Sequence, residues 1–128
     1  MKLLLDTHAL LWLAHEPDAL SEAASAAIVD QANEIWVSAV SAIEIAAKSR
    51  RGRLEYRSTL ATHFLPEVTS QGFLPMAISC AHAERAGNLE GDHQDPWDRL
   101  IAAQAQLEDL VVVTCDARVA AFGVNTIW

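Results

Sequence analysis

The sequence has 128 residues, of which 52% are hydrophobic and 20% are charged, and its formal net charge at pH 7 is −8. This length and composition predict a single domain over residues 1–128 and exclude a disordered chain. The acidic balance argues against a generally basic nucleic-acid-binding protein, while a local basic patch remains compatible with it.

Short apolar runs alternate with helical segments along the chain. In order, we predict strand Lys2–Leu5, helices Thr7–Ala14 and Ser21–Ala32, strand Glu34–Val37, a helix from about Ser41 to Arg51, helix Thr59–Gln71, strand Phe73–Ala77, helix Ser79–Ala86 stopped by Gly87, helix Pro96–Leu107, strand Leu110–Val113, a short helix and strand Val124–Ile127. Pro75 favours an edge position for the third strand. Strands that are apolar on both faces predict an α/β fold with a parallel sheet covered on both sides.

Neither a membrane span nor a secretory signal is predicted. No apolar run reaches the roughly 18 residues that a spanning helix needs. Asp6 and His8 interrupt the apolar N-terminal run, and no small-residue cleavage site follows in good context. The 2 cysteines lack CxxC spacing, which favours reduced core thiols. We therefore expect a cytoplasmic protein that does not associate with membranes.

Four acidic residues fall near the carboxyl ends of the predicted strands. Asp6 follows the first strand, Glu44 lies in the predicted first turn of the helix after the second strand, Asp98 lies in the first turn of the helix that begins at Pro96, and Asp116 follows the fourth strand. Ligands of open parallel sheets bind at this edge. Two carboxylates about 5 Å apart repel by roughly 1–3 kcal/mol, so a cluster of four needs cations. Oxygen ligands of this kind select Mg²⁺ or Mn²⁺.

Helix capping is the alternative role of each acid. Ser41-x-x-Glu44 matches a capping box, Asp95 matches an N-cap before Pro96, and the acids after the first and fourth strands could cap the helices that follow them. Taken singly, each acid fits a cap better than a metal ligand. Taken together, four acids at one edge of a small sheet must approach one another, which capping does not require.

The chemistry that suits such a metal site is phosphodiester hydrolysis, in which the ion activates water and stabilises charge on the phosphate. The sequence contains neither GxxxxGK[ST] nor GxGxxG, so nucleotide triphosphate and dinucleotide binding have no support. The 5 histidines show no paired ligand spacing, so we expect no zinc site and interpret most of them as surface or loop residues.

Four stretches match one known family in the order in which that family has them. They are LLLDTHALLW at 3–12, VSAVSAIEI at 37–45, HQDPWDRLIAAQA at 93–105 and VVTCD at 112–116. On these residues the chain resembles the PIN-domain ribonucleases, and specifically the VapC-type toxins of bacterial type II toxin–antitoxin pairs. Each motif alone is weak, but the ordered set spans nearly the whole chain and is highly specific.

The resemblance implies a three-layer α/β/α sandwich with a central parallel sheet of about five strands in the order 3-2-1-4-5. The apolar run Leu3–Leu5 supports a central first strand, which would bring Asp6 near Asp116. Residue by residue, the family's acids fall on the four positions that would hold Mg²⁺ or Mn²⁺ for RNA hydrolysis: Asp6, Glu44, Asp98 and Asp116. Asp95 is assigned to capping and support, and Thr114 either orients water or simply ends its strand.

The resemblance also implies a homodimer and a small antitoxin that inhibits the toxin by lying over its active site. The apolar residues of Thr7–Ala14 and Ser21–Ala32 exceed the need of one sheet face, which predicts a contribution to the dimer or to an antitoxin groove. A basic segment after Glu44 either follows an RNA backbone or forms a solvated helix end: Lys48, Arg50, Arg51, Arg53 and Arg57.

Other functions fit the residues less well. A receiver domain needs a second acid beside Asp6 and a lysine after the last strand, where this chain has Ile127 and Trp128. A haloacid-dehalogenase-type phosphatase needs an acid where His8 stands. The remaining alternative is a non-catalytic PIN-fold module that binds RNA or a protein, and RNA cleavage by the antitoxin-free protein separates it from the nuclease.

Overall fold

The computed structural model describes residues 1–128 as a five-stranded sheet with helices on both faces. In chain order the elements are β1 (Lys2–Leu5), α1 (Thr7–His15), a 3₁₀ turn (Pro17–Ala19), α2 (Glu22–Val29), β2 (Glu34–Ser38), α3 (Ala39–Arg50), a second 3₁₀ turn (Thr59–Ala61), α4 (Phe64–Ser70), β3 (Leu74–Met76), α5 (Cys80–Asn88), α6 (Pro96–Glu108), β4 (Val111–Val113), α7 (Ala117–Ala120) and β5 (Thr126–Ile127). All strand pairs are parallel, and the order is β3-β2-β1-β4-β5. The α/β class, the strand order and the edge position of β3 are confirmed.

The central strand β1 divides the core into two layers. Its three leucines are completely buried, and successive side chains of a strand point to opposite faces. Leu3 and Leu5 pack in one hydrophobic cluster with residues of α1, α2 and α4, whereas Leu4 packs in a second cluster with residues of α6. The sheet is therefore the middle layer of an α/β/α sandwich.

Helix α1 has less free apolar surface than the sequence predicts. Leu10 and Leu11 are buried in the larger cluster, and Trp12 and Leu13 pack partly against it. The only exposed large hydrophobic side chain on α1 or α2 is Val29, at the end of α2. The apolar surplus predicted for these two helices is thus mostly ordinary core packing.

Several predicted boundaries are wrong for local reasons. The predicted helix Thr59–Gln71 is two elements, because Pro66 has no N–H and is accommodated in the first turn of a helix that restarts at Phe64. Helix α2 ends at Val29 because Asp30 forms a turn in which its Oδ1 accepts a hydrogen bond from the Ala32 N–H at 2.9 Å. Gly87 does not stop α5, which continues to Asn88.

The two cysteines are exposed, so their predicted place in the core is wrong. Cys80 is the first residue of α5, and Cys115 lies between β4 and α7, so both occupy element ends rather than buried faces.

In this fold, the helices all fall short of the length and apolar character that crossing a membrane requires.

Helix α6 ends on a strained residue. Asp109 has φ 56° and ψ 56°, the left-handed conformation that glycine adopts without steric cost. We expect Asp109→Gly to raise the free energy of unfolding by about 0.5–1 kcal/mol in urea titrations. Asp30→Gly is the control, because Asp30 ends α2 at φ −69° and should lose stability. A lower midpoint for Asp109→Gly would contradict the assignment of strain.

Candidate metal centre

The carboxyl ends of β1 and β4 lie side by side. Leu5 pairs with Val113 in the parallel ladder, and the N–H of Asp6 donates to the carbonyl of Val113 at 3.2 Å. The residues that follow β1 and β4 therefore start at the same edge of the sheet. This confirms the prediction that the carboxyl ends of these two strands are neighbours. The acids reach this edge from four separate segments of the chain.

Asp6 is both the N-cap of α1 and a buried carboxylate. Its Oδ1 accepts a hydrogen bond from the Ala9 N–H at 2.7 Å, and the residue is only 8% exposed. Burial raises the pKa of Asp6 above its ordinary value, while a hydrogen bond from the Thr114 hydroxyl acts in the opposite direction. The predicted cap is confirmed, and it fixes the carboxylate at the edge of the sheet.

Glu44 is not part of a capping box. Helix α3 starts at Ala39, directly after β2, and Ser38 caps it by accepting from the Val40 N–H at 3.0 Å. Ser41 is therefore inside the helix, and its buried Oγ lies 3.0 Å from the hydroxyl of Thr7. The predicted helix start was too late, because the strand passes into the helix without a loop, and Glu44 belongs to the second turn.

The carboxylate of Glu44 is held by the neighbouring helix. The Thr7 hydroxyl of α1 donates to Glu44 Oε1 at 2.6 Å, so one short contact joins the two helices at the sheet edge. Burial raises the pKa of Glu44, whereas Thr7 and the positive charge of Lys48 lower it. Glu44 is thus a half-buried carboxylate in a fixed orientation.

Asp98 is placed by the cap of α6. Asp95 Oδ1 accepts from the N–H groups of Trp97 at 2.8 Å and Asp98 at 3.1 Å, which confirms Asp95 as the N-cap. The Asp98 carboxylate takes no part in this cap. Its Oδ2 lies 2.6 Å from Nε2 of His93 in the preceding loop.

Asp116 caps α7 and is paired with a surface arginine. Its Oδ1 accepts from the Arg118 N–H at 2.9 Å, and the Arg118 guanidinium donates to both carboxylate oxygens, at 3.1 and 2.9 Å. The hydrogen bond from the Arg118 side chain is the main cause that lowers the pKa of Asp116. The Thr114 hydroxyl accepts from the Asp116 N–H at 3.0 Å and thereby stands between Asp6 and Asp116.

Three of these side chains converge within ligand distance of one another. One donor atom each of His93, Asp98 and Asp116 lies within 4.8 Å of the other two. Asp6 and Glu44 are linked to the same point electrostatically, since the charge of Asp98, after the larger effect of burial, raises the pKa of both. Asp98 is therefore the acid whose charge acts on both buried carboxylates, while the group of converging atoms consists of His93, Asp98 and Asp116 alone.

His93 is the site residue that the sequence analysis missed. The polar composition of residues 88–94 predicts only a loop, and no paired ligand spacing distinguishes His93 from the other histidines. The available signal is its place two residues before the N-cap Asp95 and five before Asp98. A chain that turns into a helix at Asp95 can fold back over the first helical turn, which is where Asp98 lies.

A family model described as the PIN domain matches residues 3–125. The chain belongs to the PIN-domain family. It is 35% identical over 122 residues to Ribonuclease VapC22 of Mycobacterium tuberculosis (strain ATCC 25618 / H37Rv), an alignment that covers 90% of this chain and 87% of that protein. The resemblance to VapC-type PIN domains is therefore confirmed.

Solved structures agree with this PIN-domain assignment at the level of the fold. VapBC2 from Rickettsia felis, bound to a DNA fragment from its promoter, matches with a TM-score of 0.72 at 14% identity over 98% of this chain and 97% of that one. VapBC-1 from nontypeable Haemophilus influenzae matches with a TM-score of 0.68 at 14% identity, covering 98% and 96%. VapBC-5 from Mycobacterium tuberculosis matches with a TM-score of 0.59 at 21% identity, covering 98% and 96%.

The donor set of this PIN domain fits a hard divalent cation. The three salt bridges of the molecule are His82–Glu108, His93–Asp98 and Arg118–Asp116, so neither Asp6 nor Glu44 forms a salt bridge. Unpaired carboxylates removed from water are costly, and a divalent ion relieves that cost. Opposite ligands of such an ion lie about 4.2 Å apart. The 4.8 Å spread of the converging atoms is close to that span.

The raised pKa of Glu44 predicts how pH changes the stability of the metal-free PIN domain. A carboxyl group whose pKa is higher in the folded than in the unfolded state binds more protons when folded, so its contribution to the free energy of unfolding falls as pH rises through that range. Glu44→Gln should therefore match the wild type at low pH and exceed its midpoint at neutral pH. Thermal unfolding in chelator measures the difference, and a constant difference across pH would contradict the raised pKa.

Proposed function

We propose that this PIN-domain protein is a metal-dependent endoribonuclease that hydrolyses RNA phosphodiester bonds with Mg²⁺ or Mn²⁺ and acts as the toxin of a toxin–antitoxin pair. The observation that carries the proposal is that four acids follow separate segments at one edge of the sheet, where Asp98 and Asp116 converge and the charge of Asp98 acts on Asp6 and Glu44, neither of which forms a salt bridge. The relative named Ribonuclease VapC22 supports RNA as the substrate.

The ion would be held by the four acids that the family resemblance indicates: Asp6, Glu44, Asp98 and Asp116. A divalent ion supplies positive charge beside the attacked phosphate and lowers the pKa of water. The chain's own polar groups fix the ligands in advance. Thr7 orients Glu44, and Thr114 contacts both Asp6 and Asp116. Because the Thr114 hydroxyl is already engaged by the Asp6 carboxylate and the Asp116 backbone N–H, we assign it to positioning these two residues rather than to orienting water.

The RNA backbone would approach along the C-terminal half of α3. Lys48 is close enough to Glu44 to lower its pKa, which places a positive charge beside the acids. Lys48 and Arg53 line an open groove of about 390 Å³ together with the rings of His8, Trp12 and Tyr56, and two acids, Glu16 and Glu55, line it as well. Single-stranded nucleic-acid sites typically combine basic side chains that contact the phosphates with aromatic rings on which the bases stack. We therefore propose that Lys48 and Arg53 of the basic segment contact the RNA backbone in this groove.

The proposed partners are an antitoxin and a second copy of the chain, within the cytoplasm. The solved relatives are VapBC toxin–antitoxin structures, which supports an antitoxin that inhibits cleavage by covering the acidic edge. Large apolar side chains remain exposed outside α1, including Ile43 on α3 and Leu65 on α4. Light scattering of the isolated chain and inhibition of cleavage by the product of a neighbouring gene test these two partners separately.

RNA cleavage by the purified, antitoxin-free protein tests the function. We expect cleavage with Mg²⁺ or Mn²⁺, loss of cleavage in chelator and loss of cleavage in Asp98→Asn. Asp18→Asn is the matched control, because Asp18 is exposed in the 3₁₀ turn after α1 and lies at the far end of that helix from Asp6. Folded wild-type protein that binds RNA but cleaves none would instead support the non-catalytic PIN-fold module.

A further inference from the structure

His93 occupies a position that the four-acid site leaves unexplained. Its Nε2 lies 2.6 Å from Asp98 Oδ2, and a donor atom of its ring lies within 4.8 Å of both Asp98 and Asp116. The side chains of His93 and Asp98 are 14% and 25% exposed, and that of Asp116 is 27% exposed. The three donors therefore lie close together and partly exposed at the protein surface, where the Arg118 guanidinium now occupies the Asp116 carboxylate and would have to give way to an ion.

Arg99 and Phe122 hold the loop that carries His93 in place. The Arg99 guanidinium donates to the carbonyls of Ala86 and His93 at 2.9 Å each, and also to the carbonyl of Leu89. The same guanidinium lies 5.4 Å from the ring centroid of Phe122, and the His93 ring stacks on that ring with centroids 6.1 Å apart. The imidazole is thus held by its backbone and by its ring face.

A glycine completes this support. Gly91 has φ 129°, a conformation that other residues rarely adopt, and a Cβ atom there would approach the Phe122 ring at 3.4 Å. The turn at Gly91 therefore places the loop against the Phe122 ring. This packing holds His93 beside Asp98. A donor so fixed before any ion arrives loses little freedom when it binds one.

We propose that His93 is a metal ligand, and that Nε2 together with the carboxylates of Asp98 and Asp116 makes a mixed nitrogen–oxygen site that favours Mn²⁺ over Mg²⁺. This inference rests on the proposed metal-dependent function and specifies which ion it uses. Mg²⁺ takes oxygen ligands almost without exception, whereas an imidazole nitrogen is a ligand for transition-metal ions. The hydrogen bond between His93 and Asp98 marks the place that the ion would take.

Direct metal binding by the full-length protein tests the proposal without any measurement of activity. In pulsed electron paramagnetic resonance, Mn²⁺ bound to the wild type should show coupling to an imidazole nitrogen, and His93→Gln should lose it. By calorimetry, His93→Gln should weaken Mn²⁺ binding by about tenfold or more and change Mg²⁺ binding far less. His63→Gln is the matched control, because His63 is exposed and its ring contacts only Thr62.

The possible results separate this inference from the proposed function. Mn²⁺ bound to the wild type without nitrogen coupling would overturn the role of His93 and leave the four-acid site intact. Equal weakening of both ions by His93→Gln would show that His93 only orients Asp98 through its hydrogen bond, which also overturns the proposal. A wild-type protein that binds neither ion would overturn the metal-dependent function itself. The nitrogen coupling is measured on the wild type, so the test does not depend on the folding of a variant.

Discussion

Asp6→Asn is expected to abolish RNA cleavage and, at the same time, to raise the unfolding temperature of the metal-free protein at neutral pH. Burial raises the pKa of Asp6, so its charge at neutral pH destabilises the fold when no cation is present. Asn removes that charge and keeps the oxygen that accepts from the Ala9 N–H, and Asn is as good an N-cap as Asp. Loss of a charged ligand should lower the rate by more than about 100-fold, since even residues that only support a ligand cost about 10–100-fold.

Opposite changes in stability and activity are what distinguish a metal ligand from a cap. If Asp6 only capped α1, Asp6→Asn would leave both the unfolding temperature and the cleavage rate near their wild-type values. Asp6→Ala is the matched control for the cap, because it removes both the charge and the acceptor of the Ala9 N–H. Differential scanning calorimetry in chelator and cleavage of labelled RNA with Mn²⁺ measure the two properties. Wild-type-like cleavage by Asp6→Asn would remove Asp6 from the site.

Addition of the metal is expected to produce the largest change in stability. An ion that binds only the folded state at 100 times its dissociation constant stabilises the protein by about 2.7 kcal/mol, which corresponds to roughly 10 °C in the unfolding temperature of a domain of this size. Asp98→Asn should abolish this shift, because the Asp98 carboxylate lies within 4.8 Å of the donor atoms of His93 and Asp116 and its charge acts on Asp6 and Glu44. Excess chelator should reverse the shift in the wild type.

The same titration with Asp18→Asn controls for the general effect of removing a negative charge from an acidic protein. This variant should retain the full shift, since Asp18 is exposed in the 3₁₀ turn after α1. A shift of equal size in Asp98→Asn and the wild type would place the ion elsewhere on the chain. Absence of any shift in the wild type at millimolar Mn²⁺ would contradict the metal centre as a whole.

The sequence predicts the position of a site residue correctly where strong signals for a strand or a helix lie directly beside it in the chain. Asp6 stands between the uninterrupted apolar run of β1 and the first residue of α1, so both its cap and its place at the sheet edge could be predicted. Asp95 followed by Pro96 likewise marks the start of α6, and Asp98 follows from it. The parallel order of the strands came from the family resemblance, since apolar runs alone do not specify which strands are neighbours.

The sequence was insufficient where contacts between distant segments decide the outcome. Ser41 has the pattern of a cap, but its hydroxyl is buried against Thr7, a residue 34 positions earlier. His93 has no local signal of burial, because its ring packs on Phe122, which lies much later in the chain, just after α7. Long-range packing of this kind leaves no periodic pattern in the sequence. It determines the orientation of the Glu44 carboxylate and the position of His93 beside Asp98.

The direct passage of β2 into α3 has a consequence for how the chain can vary in length. Ser38 ends the strand and Ala39 begins the helix, so no loop separates the sheet from Glu44. Each helical residue turns the chain by about 100° and advances it by about 1.5 Å. One residue inserted or deleted between Ser38 and Glu44 would therefore rotate the carboxylate away from Thr7.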